Sequence, residues 1–317
     1  MVSNTSSKRD RVLVIFPGAL GDLICLVPAL RILARQNRGC DLELMARGEL
    51  ANFAINRMGI VRAHSIDRRE LSLLFSSAAD ATVEARGFFK VFSRVHSFFG
   101  YDDARLRQTL PQAAGGPVSF YPFRPEGGGH VAAAYIEGVG ESLGRGGLPP
   151  DAAAIDMDDQ DISDARSIIA SQSAEPGQYF LLMPGSGSQT KNWPAESYLQ
   201  LARHLRRATP VVTVLGPAEE HMEGMFSSLS PVKSPPLGTL AGLARLSELF
   251  VGNDSGTSHL AAAAGARGVV IFGPSDPLRW HPLGRVTVLR RMPLQALRWQ
   301  EVAQVVTGLR GHAESER

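Results

Sequence analysis

Three short stretches hold the residues whose types and spacing could do chemistry. The first is Gly18-Ala-Leu-Gly-Asp22, where a strand-like run ends and a helix begins. An aspartate in a first helical turn either complements the helix dipole or, fixed in a cleft, acts as general base toward a sugar hydroxyl. This turn is not the dinucleotide fingerprint, because the third glycine is missing and a carboxylate opens the helix. The second stretch is Pro184-Gly-Ser-Gly-Ser-Gln-Thr-Lys-Asn-Trp-Pro194. Gly185 and Gly187 let backbone approach a ligand, Ser186, Ser188 and Thr190 offer hydroxyls, and Lys191 is a mobile cation suited to a diphosphate. The same residues also describe a plain surface loop with Trp193 packed as a helix staple. It is not a P-loop, since no magnesium-binding Ser or Thr follows Lys191. The third stretch is Val251-Gly-Asn-Asp-Ser-Gly-Thr-Ser-His259, followed by Leu260-Ala-Ala-Ala-Ala-Gly265. Asn253, Asp254, Ser255 and Gly256 turn the chain from a buried strand into a strong helix former. Free N–H groups and the positive helix end favour phosphate there, although Asp254 or Ser255 acting only as a cap explains the same pattern. His259, one turn further on, is either a satisfied core histidine or a participant. The stretches 273–277 and 279–284, Gly-Pro-Ser-Asp-Pro and Arg-Trp-His-Pro-Leu-Gly, line a base or sugar pocket or simply form tight turns.

The elements that must position these residues alternate. Residues 11–16 read as a buried strand, 22–36 as an amphipathic helix, 41–45 as a strand, 47–58 as helical and 61–66 as extended. In the second half, 162–171 reads as a helix, 179–183 as a strand, 194–207 as a helix, 211–215 as a strand, 238–249 as a helix and 269–272 as a strand. This alternation predicts α/β structure with parallel sheets and crossover helices. Each half opens with strand, glycine turn and helix, which predicts two Rossmann-like domains facing each other across a cleft. The expected divisions are a flexible tail at 1–10, a first domain at 11–155 and a second at 156–317. The linker falls near 152–159, and a last helix near 297–309 crosses back to the first domain. The glycines at 115–116, 127–129 and 138–147 read as loops.

Bulk properties narrow the function. The chain has 317 residues, 44% hydrophobic and 20% charged, with a formal net charge of +2. No global field argues for nucleic acid. Only four of the 33 basic residues are lysines, Lys8, Lys90, Lys191 and Lys233, so a lysine inside a motif stands out. Cys25 and Cys40, the two cysteines, form neither a disulfide framework nor a metal-type pairing. No apolar stretch reaches a membrane span, and the polar first ten residues are not a secretory signal. The expected location is cytoplasmic, with room for peripheral contact at the inner face of the cytoplasmic membrane. The segment 85–107 sets Phe88, Phe89, Phe92, Phe98 and Phe99 among Arg86, Lys90 and Arg94. It either meets a lipid-linked acceptor at the membrane surface or is a plain core helix.

In this order and spacing, the motifs resemble glycosyltransferase family 9, the bacterial lipopolysaccharide heptosyltransferases. The residues that carry the resemblance are 12–33 with their Gly-Asp pair, the Gly-Ser-Gly…Lys-Asn-Trp-Pro loop, Asn253-Asp-Ser-Gly…His259-Leu-Ala-Ala and Phe272-Gly-Pro-Ser-Asp-Pro…Trp-His-Pro. Residues 130–148 also look like the helix before the family's domain linker; the match is weak from about 68 to 125. The resemblance implies a GT-B architecture and an inverting, in-line, metal-independent transfer from a nucleotide sugar, ADP-heptose foremost, to a lipopolysaccharide-core or other glycan acceptor. It places the catalytic base at Asp22, with Gly18 and Gly21 on the acceptor side. Diphosphate contacts fall on Gly185, Ser186, Gly187, Ser188, Lys191, Ser255, Gly256 and Thr257, and sugar contacts on Asp254 and His259. No cofactor beyond the nucleotide sugar and no metal is implied. Where inner-core members carry a histidine three residues after the catalytic aspartate, this chain has Cys25. Two rival readings are a same-fold nucleotide-sugar epimerase and a non-catalytic nucleotide-sugar-binding protein.

Overall fold

The computed structural model describes residues 9–76, 80–144 and 147–315, with side chains as far as residue 310. The expected tail therefore lies outside the described residues up to residue 8. The chain forms two compact units, one of Met1–Ala19, Leu26–Gly127 and Ala132–Gly144, the other of Leu20–Cys25, Gly128–Val131 and Arg145–Arg317.

The elements before residue 145 are β1 (Arg11–Ile15), α1 (Leu20–Gln36), β2 (Asp41–Ala46), α2 (Gly48–Ala54), β3 (Arg62–Ser65), α3 (Arg69–Leu73), α4 (Ala81–Phe89), β4 (Arg94–Ser97), α5 (Ala104–Ala113), β5 (Val118–Phe120) and α6 (Val131–Gly138). The first six residues of α1 and the first of α6 belong to the second unit. The five strands form one parallel sheet in the order β3-β2-β1-β4-β5. One face of this sheet packs Leu13, Ile15, Met45 and Val95 against Leu71, Phe89, Phe92, Leu106 and Leu110. On the other face, Phe16 meets Phe98, Phe123 and Tyr135 edge to face, at 5.8, 5.5 and 6.0 Å. A strand buried on both faces needs a continuous apolar run, which is what Val12–Phe16 supplies.

The second unit continues with α7 (Asp159–Ser171), β6 (Phe180–Met183), α8 (Ala195–Leu205), β7 (Val211–Leu215), α9 (Glu223–Phe226), β8 (Val232–Lys233), α10 (Leu237–Arg245), β9 (Leu249–Asn253), α11 (Gly256–Ala263), β10 (Gly268–Phe272), α12 (Pro277–Trp280), β11 (Val286–Arg290) and α13 (Trp299–Ser315). Its six parallel strands are ordered β11-β10-β9-β6-β7-β8. Counted from β6, this is the dinucleotide-binding order with its reversal between β6 and β9. Ligands in such sheets sit at the carboxyl ends of the strands at that reversal. Val302, Ala303 and Val306 of α13 join the core formed by Trp193, Tyr198, Leu201 and Leu205.

Both units are thus Rossmann-like, the α/β architecture that the alternation predicts. Three local expectations are corrected. Residues 85–107 are not one helix: α4 ends at Phe89, and β4 pairs with β1 in the register Val12↔Arg94 to Ile15↔Ser97. Phe89, Phe92 and Phe98 there are core residues, so the aromatic content serves the sheet. The helix expected at 47–58 stops at Ala54, because Ile55 is extended and bridges Ile60. The helix expected at 238–249 stops at Arg245, and Leu249 already belongs to β9.

Candidate functional site

Two of the three sequence stretches meet at the strand reversal of the second unit. Met183, the last residue of β6, pairs with Gly252 of β9, so the chains leaving both strands emerge side by side. Asn253 fastens them together. Its fully buried side chain donates from Nδ2 to the Pro184 carbonyl at 2.6 Å. Its Oδ1 accepts from the Trp193 amide at 3.0 Å and the Tyr198 hydroxyl at 3.1 Å. Trp193 itself is buried against Tyr198, and its Nε1 donates to the Leu297 carbonyl at 2.9 Å. It is a core residue beneath the glycine-rich loop, more deeply placed than the staple that the sequence suggests.

Ser255 caps α11, accepting from the Ser258 amide at 3.3 Å, and its hydroxyl also lies 2.9 Å from that of Thr257. The capping reading of this turn is therefore correct for Ser255. Asp254 does something else. It is 4% exposed, and Lys191 Nζ lies 2.7 Å from its Oδ2. That contact is a charge pairing without hydrogen-bond alignment, so the buried oxygen has a counter-ion but no directed donor. A buried carboxylate oxygen in that state is poised for a better donor. In the loop after β6, the Ser186 hydroxyl is turned inward, 2.8 Å from the Ser188 carbonyl and 2.5 Å from Asn192 Oδ1. What this loop offers a ligand is chiefly backbone at Gly185, Gly187 and Ser188.

The second unit also includes the first turn of α1, with Gly21 and Asp22. Here two helix starts touch. A Cβ on Gly256 would stand 2.9 Å from Leu20 Cβ and 3.0 Å from the Gly21 nitrogen. A Cβ on Gly21 would stand 3.2 Å from His259 Cδ2. Gly256 needs glycine for this approach, and at Gly21 a side chain would press on the His259 ring. Asp22 and Asp254 both act electrostatically on the Cys25 thiol. Asp22, Cys25, Lys191, Asp254, Ser255, Gly256, Thr257 and His259 thus share one region, with Gly185 to Ser188 beside Lys191. Gly18 is buried in the first unit, just beyond β1.

His259 is a buried, neutral histidine. Burial lowers its pKa to about 4, opposed by the nearby Asp254 carboxylate and reinforced by His130, His281 and Lys191. Its Nδ1 lies 3.6 Å from Cys25 Sγ. His130, which opens the stretch 130–148, and His281, from the 279–284 stretch expected to line a pocket or form a tight turn, form a pair beside it. Their rings meet edge to face at 4.7 Å, and His130 Nε2–H donates to the His281 carbonyl at 2.8 Å. Burial lowers the His130 pKa to about 4 as well.

Glu219 is the other residue that the sequence hid. It follows β7, is 6% exposed and accepts from the Gly216 amide at 3.1 Å. A Cβ on Gly185 would lie 2.1 Å from its Cδ, so a larger residue there would push this carboxylate aside. A carboxylate after the second strand of a Rossmann unit is where ribose hydroxyls are read.

Residues 152–305 match the model of glycosyltransferase family 9 (heptosyltransferase). Lipopolysaccharide heptosyltransferase 1 of Escherichia coli (strain K12) is 24% identical over 143 residues, 43% of this chain and 45% of that protein. The match thus spans less than half of that relative. Among solved structures, a glycosyltransferase family 9 protein from Veillonella parvula superposes with a TM-score of 0.77 at 19% identity, covering 96% of this chain and 99% of that one. The E. coli ADP-heptose lps heptosyltransferase II gives 0.75 at 18% identity, with the same coverage. The shared fold is GT-B, built from two Rossmann-like units. Residues 152–305, which hold the Lys191 loop and the Asp254 turn, constitute a glycosyltransferase family 9 domain.

Proposed function

We propose that this chain is an inverting glycosyltransferase that moves a sugar, heptose from ADP-heptose foremost, to a lipopolysaccharide-core or other glycan acceptor, free or lipid-linked. The observation that carries this reading is the Lys191–Asp254 pair at the strand reversal, between a glycine-rich loop and the capped start of α11. A cation and a carboxylate side by side match the two parts of a nucleotide sugar. The diphosphate draws the ammonium, the amides at Gly185 to Ser188 and the Ser255–Thr257 helix start. Asp254, relieved of Lys191, then accepts from the hydroxyls of the sugar. Glu219 accepts from the ribose. Similarity to a protein named for ADP-heptose favours that nucleotide sugar.

Asp22 is the general base of the transfer. It takes the proton of the acceptor hydroxyl as that oxygen attacks the anomeric carbon, and the carbon–diphosphate bond breaks on the opposite face. The electron pair leaves with the nucleoside diphosphate, which Lys191 and the helix start stabilise. These groups give the leaving diphosphate its positive surroundings, and the proposed transfer needs no metal. The acceptor hydroxyl is presented to Asp22, with Gly18 and Gly21 on the acceptor side. Among the described residues no helix is long and apolar enough to cross a membrane. The proposed location is the cytoplasm, with peripheral contact at the inner face of the cytoplasmic membrane.

The test is calorimetric titration of ADP, UDP and GDP into the protein and into Lys191→Ala. Selective ADP binding that the variant loses supports the assignment. Selective binding of UDP or GDP keeps the transferase and changes the sugar nucleotide. An absence of binding by all three counts against the site.

A further inference from the structure

In the histidine group of the second unit, two rings have tautomers dictated by backbone carbonyls. His130 carries its proton on Nε2, which donates to the His281 carbonyl at 2.8 Å. His281 carries its proton on Nδ1, which donates to the Pro277 carbonyl at 2.8 Å. His259 is different, because its Nδ1 faces a thiol, Cys25 Sγ, at 3.6 Å. A thiol can donate one proton or accept weakly. If S–H donates, the His259 proton sits on Nε2. If Nδ1–H donates, Nε2 is a bare lone pair.

Three observations choose between these. Cys25 and His259 are 1% and 4% exposed, so neither group gains from being charged. Burial pushes the thiol pKa far up and that of His259 down to about 4, so the contact joins a protonated thiol to a neutral imidazole. An imidazole nitrogen is a strong acceptor and a thiol sulfur a poor one, which favours S–H donating to Nδ1. Finally, Nε2 is the ring nitrogen turned away from Cys25 Sγ. Its neighbour Cδ2 faces Gly21, beside Asp22. A lone pair at Nε2 would repel an anion bound at this helix start, whereas an N–H would attract it.

We propose that Cys25 is a positioning residue: its thiol donates to His259 Nδ1 and holds the imidazole as the Nε2–H tautomer, which presents a neutral N–H to the anionic leaving group of the nucleotide sugar. The ligand part of this inference rests on the glycosyl-transfer reading above; the tautomer part stands on the protein alone. A neutral donor kept in one tautomer serves the leaving group across the physiological pH range without titrating.

The experiment reads the two parts separately. Long-range 15N–1H spectra of the full chain report which ring nitrogen of His259 is protonated, with the signals assigned by their loss in His259→Gln. Wild type and Cys25→Ser, which keeps a donor, should show Nε2–H. Cys25→Val, which fills the space without a donor, should show a mixture of tautomers. ADP should shift the Nε2 resonance of wild type. With nucleotide sugar and acceptor, Cys25→Val should lower kcat about threefold to tenfold, the worth of one modest hydrogen bond, with less change in KM. Cys25→Ser should stay within about twofold of wild type, since it keeps that bond. A wild-type proton on Nδ1 overturns the proposal whatever the protein transfers. So does a Cys25→Val protein with unchanged tautomer and kcat, which would make Cys25 a packing residue. An Nε2–H tautomer and an ADP shift in a protein that transfers no sugar would sink the glycosyl-transfer reading and leave the positioning role intact.

Discussion

Replacing Asp254 by asparagine separates the two roles that the Lys191–Asp254 pair combines. Lys191 Nζ lies 2.7 Å from Asp254 Oδ2, so on the proposed function a diphosphate competes with a carboxylate for one ammonium. Asparagine occupies the same space, removes the competing charge and leaves the lysine to the phosphates. The Lys191 side chain is 37% exposed. Solvent screening therefore limits the pair to roughly 0.5–1 kcal/mol. Released on nucleotide binding, that is about a twofold to fivefold tighter Kd for ADP. Lys191→Ala acts in the opposite direction. A charged donor to phosphate is worth about 1.5–3 kcal/mol. Subtracting the pair that binding must break leaves about 1–2 kcal/mol, a roughly fivefold to thirtyfold weaker Kd. Calorimetry of ADP against wild type and both variants, at two salt concentrations because the pair is screened, measures all of this. With the full nucleotide sugar, Asp254→Asn should lose turnover despite its tighter ADP binding, because the sugar loses its acceptor. Asp254→Asn weakening ADP as much as Lys191→Ala would refute the reasoning, since Asp254 would then support the nucleotide rather than compete with it.

Three further outcomes are expected. Asp22→Asn should bind ADP as wild type does and lose about 10²–10⁴-fold in kcat, the usual worth of a positioned base; wild-type turnover removes Asp22 from that role. His96, His130 and His259 have pKa values lowered to about 4 by burial, so between about pH 6.5 and pH 4 the unfolded chain binds protons that the native one refuses. Stability should therefore fall with falling pH in that window, by up to about 1.4 kcal/mol per histidine per pH unit, and denaturant melts of His96→Phe should show a shallower slope than wild type. Glu43 has no exposed side-chain surface; burial would raise its pKa, but hydrogen bonds from Arg11 and His64 and their charges hold it at about 2. Glu43→Gln takes the carboxylate from the mostly buried Arg11, whereas Arg62 is 54% exposed and keeps Asp41 at 3.9 Å. The substitution should cost about 1.5–3 kcal/mol; urea melts within 1 kcal/mol of wild type, roughly the worth of an exposed ion pair, would mark the network as dispensable.

What the sequence made legible was local. Leu249-Phe-Val before Asn253-Asp-Ser-Gly, and Phe180-Leu-Leu-Met before Pro184-Gly-Ser-Gly, announce strand ends and turns within ten residues, because glycine, serine and aspartate act through their own backbone. Asp22, Lys191 and Asp254 could be named for the same reason. The partners that define the site are distant in sequence: Cys25 and His259 are separated by 234 positions, and His130 and the His281 carbonyl by 151. No periodicity encodes such contacts. Glu219 gave no signal because a buried carboxylate in a charged stretch, Ala218-Glu-Glu-His221, looks like a solvated face. The strand β4 was hidden for a different reason. Its Arg94-Val-His-Ser is short and bordered by phenylalanines, and only pairing with β1 makes it extended.

The capping and chemical readings of the two aspartate turns, rivals on sequence alone, are compatible in the folded chain. The starts of α1 and α11 approach until Gly256 has no room for a Cβ against Leu20 and Gly21. Two helix N-termini that close place positive dipole ends together, which is unfavourable unless negative charge lies between or beside them. Asp22 in the first turn of α1 and Asp254 just before the α11 cap supply it. Lys191 then balances Asp254. A diphosphate bound as proposed brings its own negative charge to the α11 start and to Lys191, and so takes over the stabilising task of Asp254. On the proposed function that exchange frees Asp254 for sugar hydroxyls, and the α1 dipole favours a carboxylate at Asp22, where the proposed general base stands.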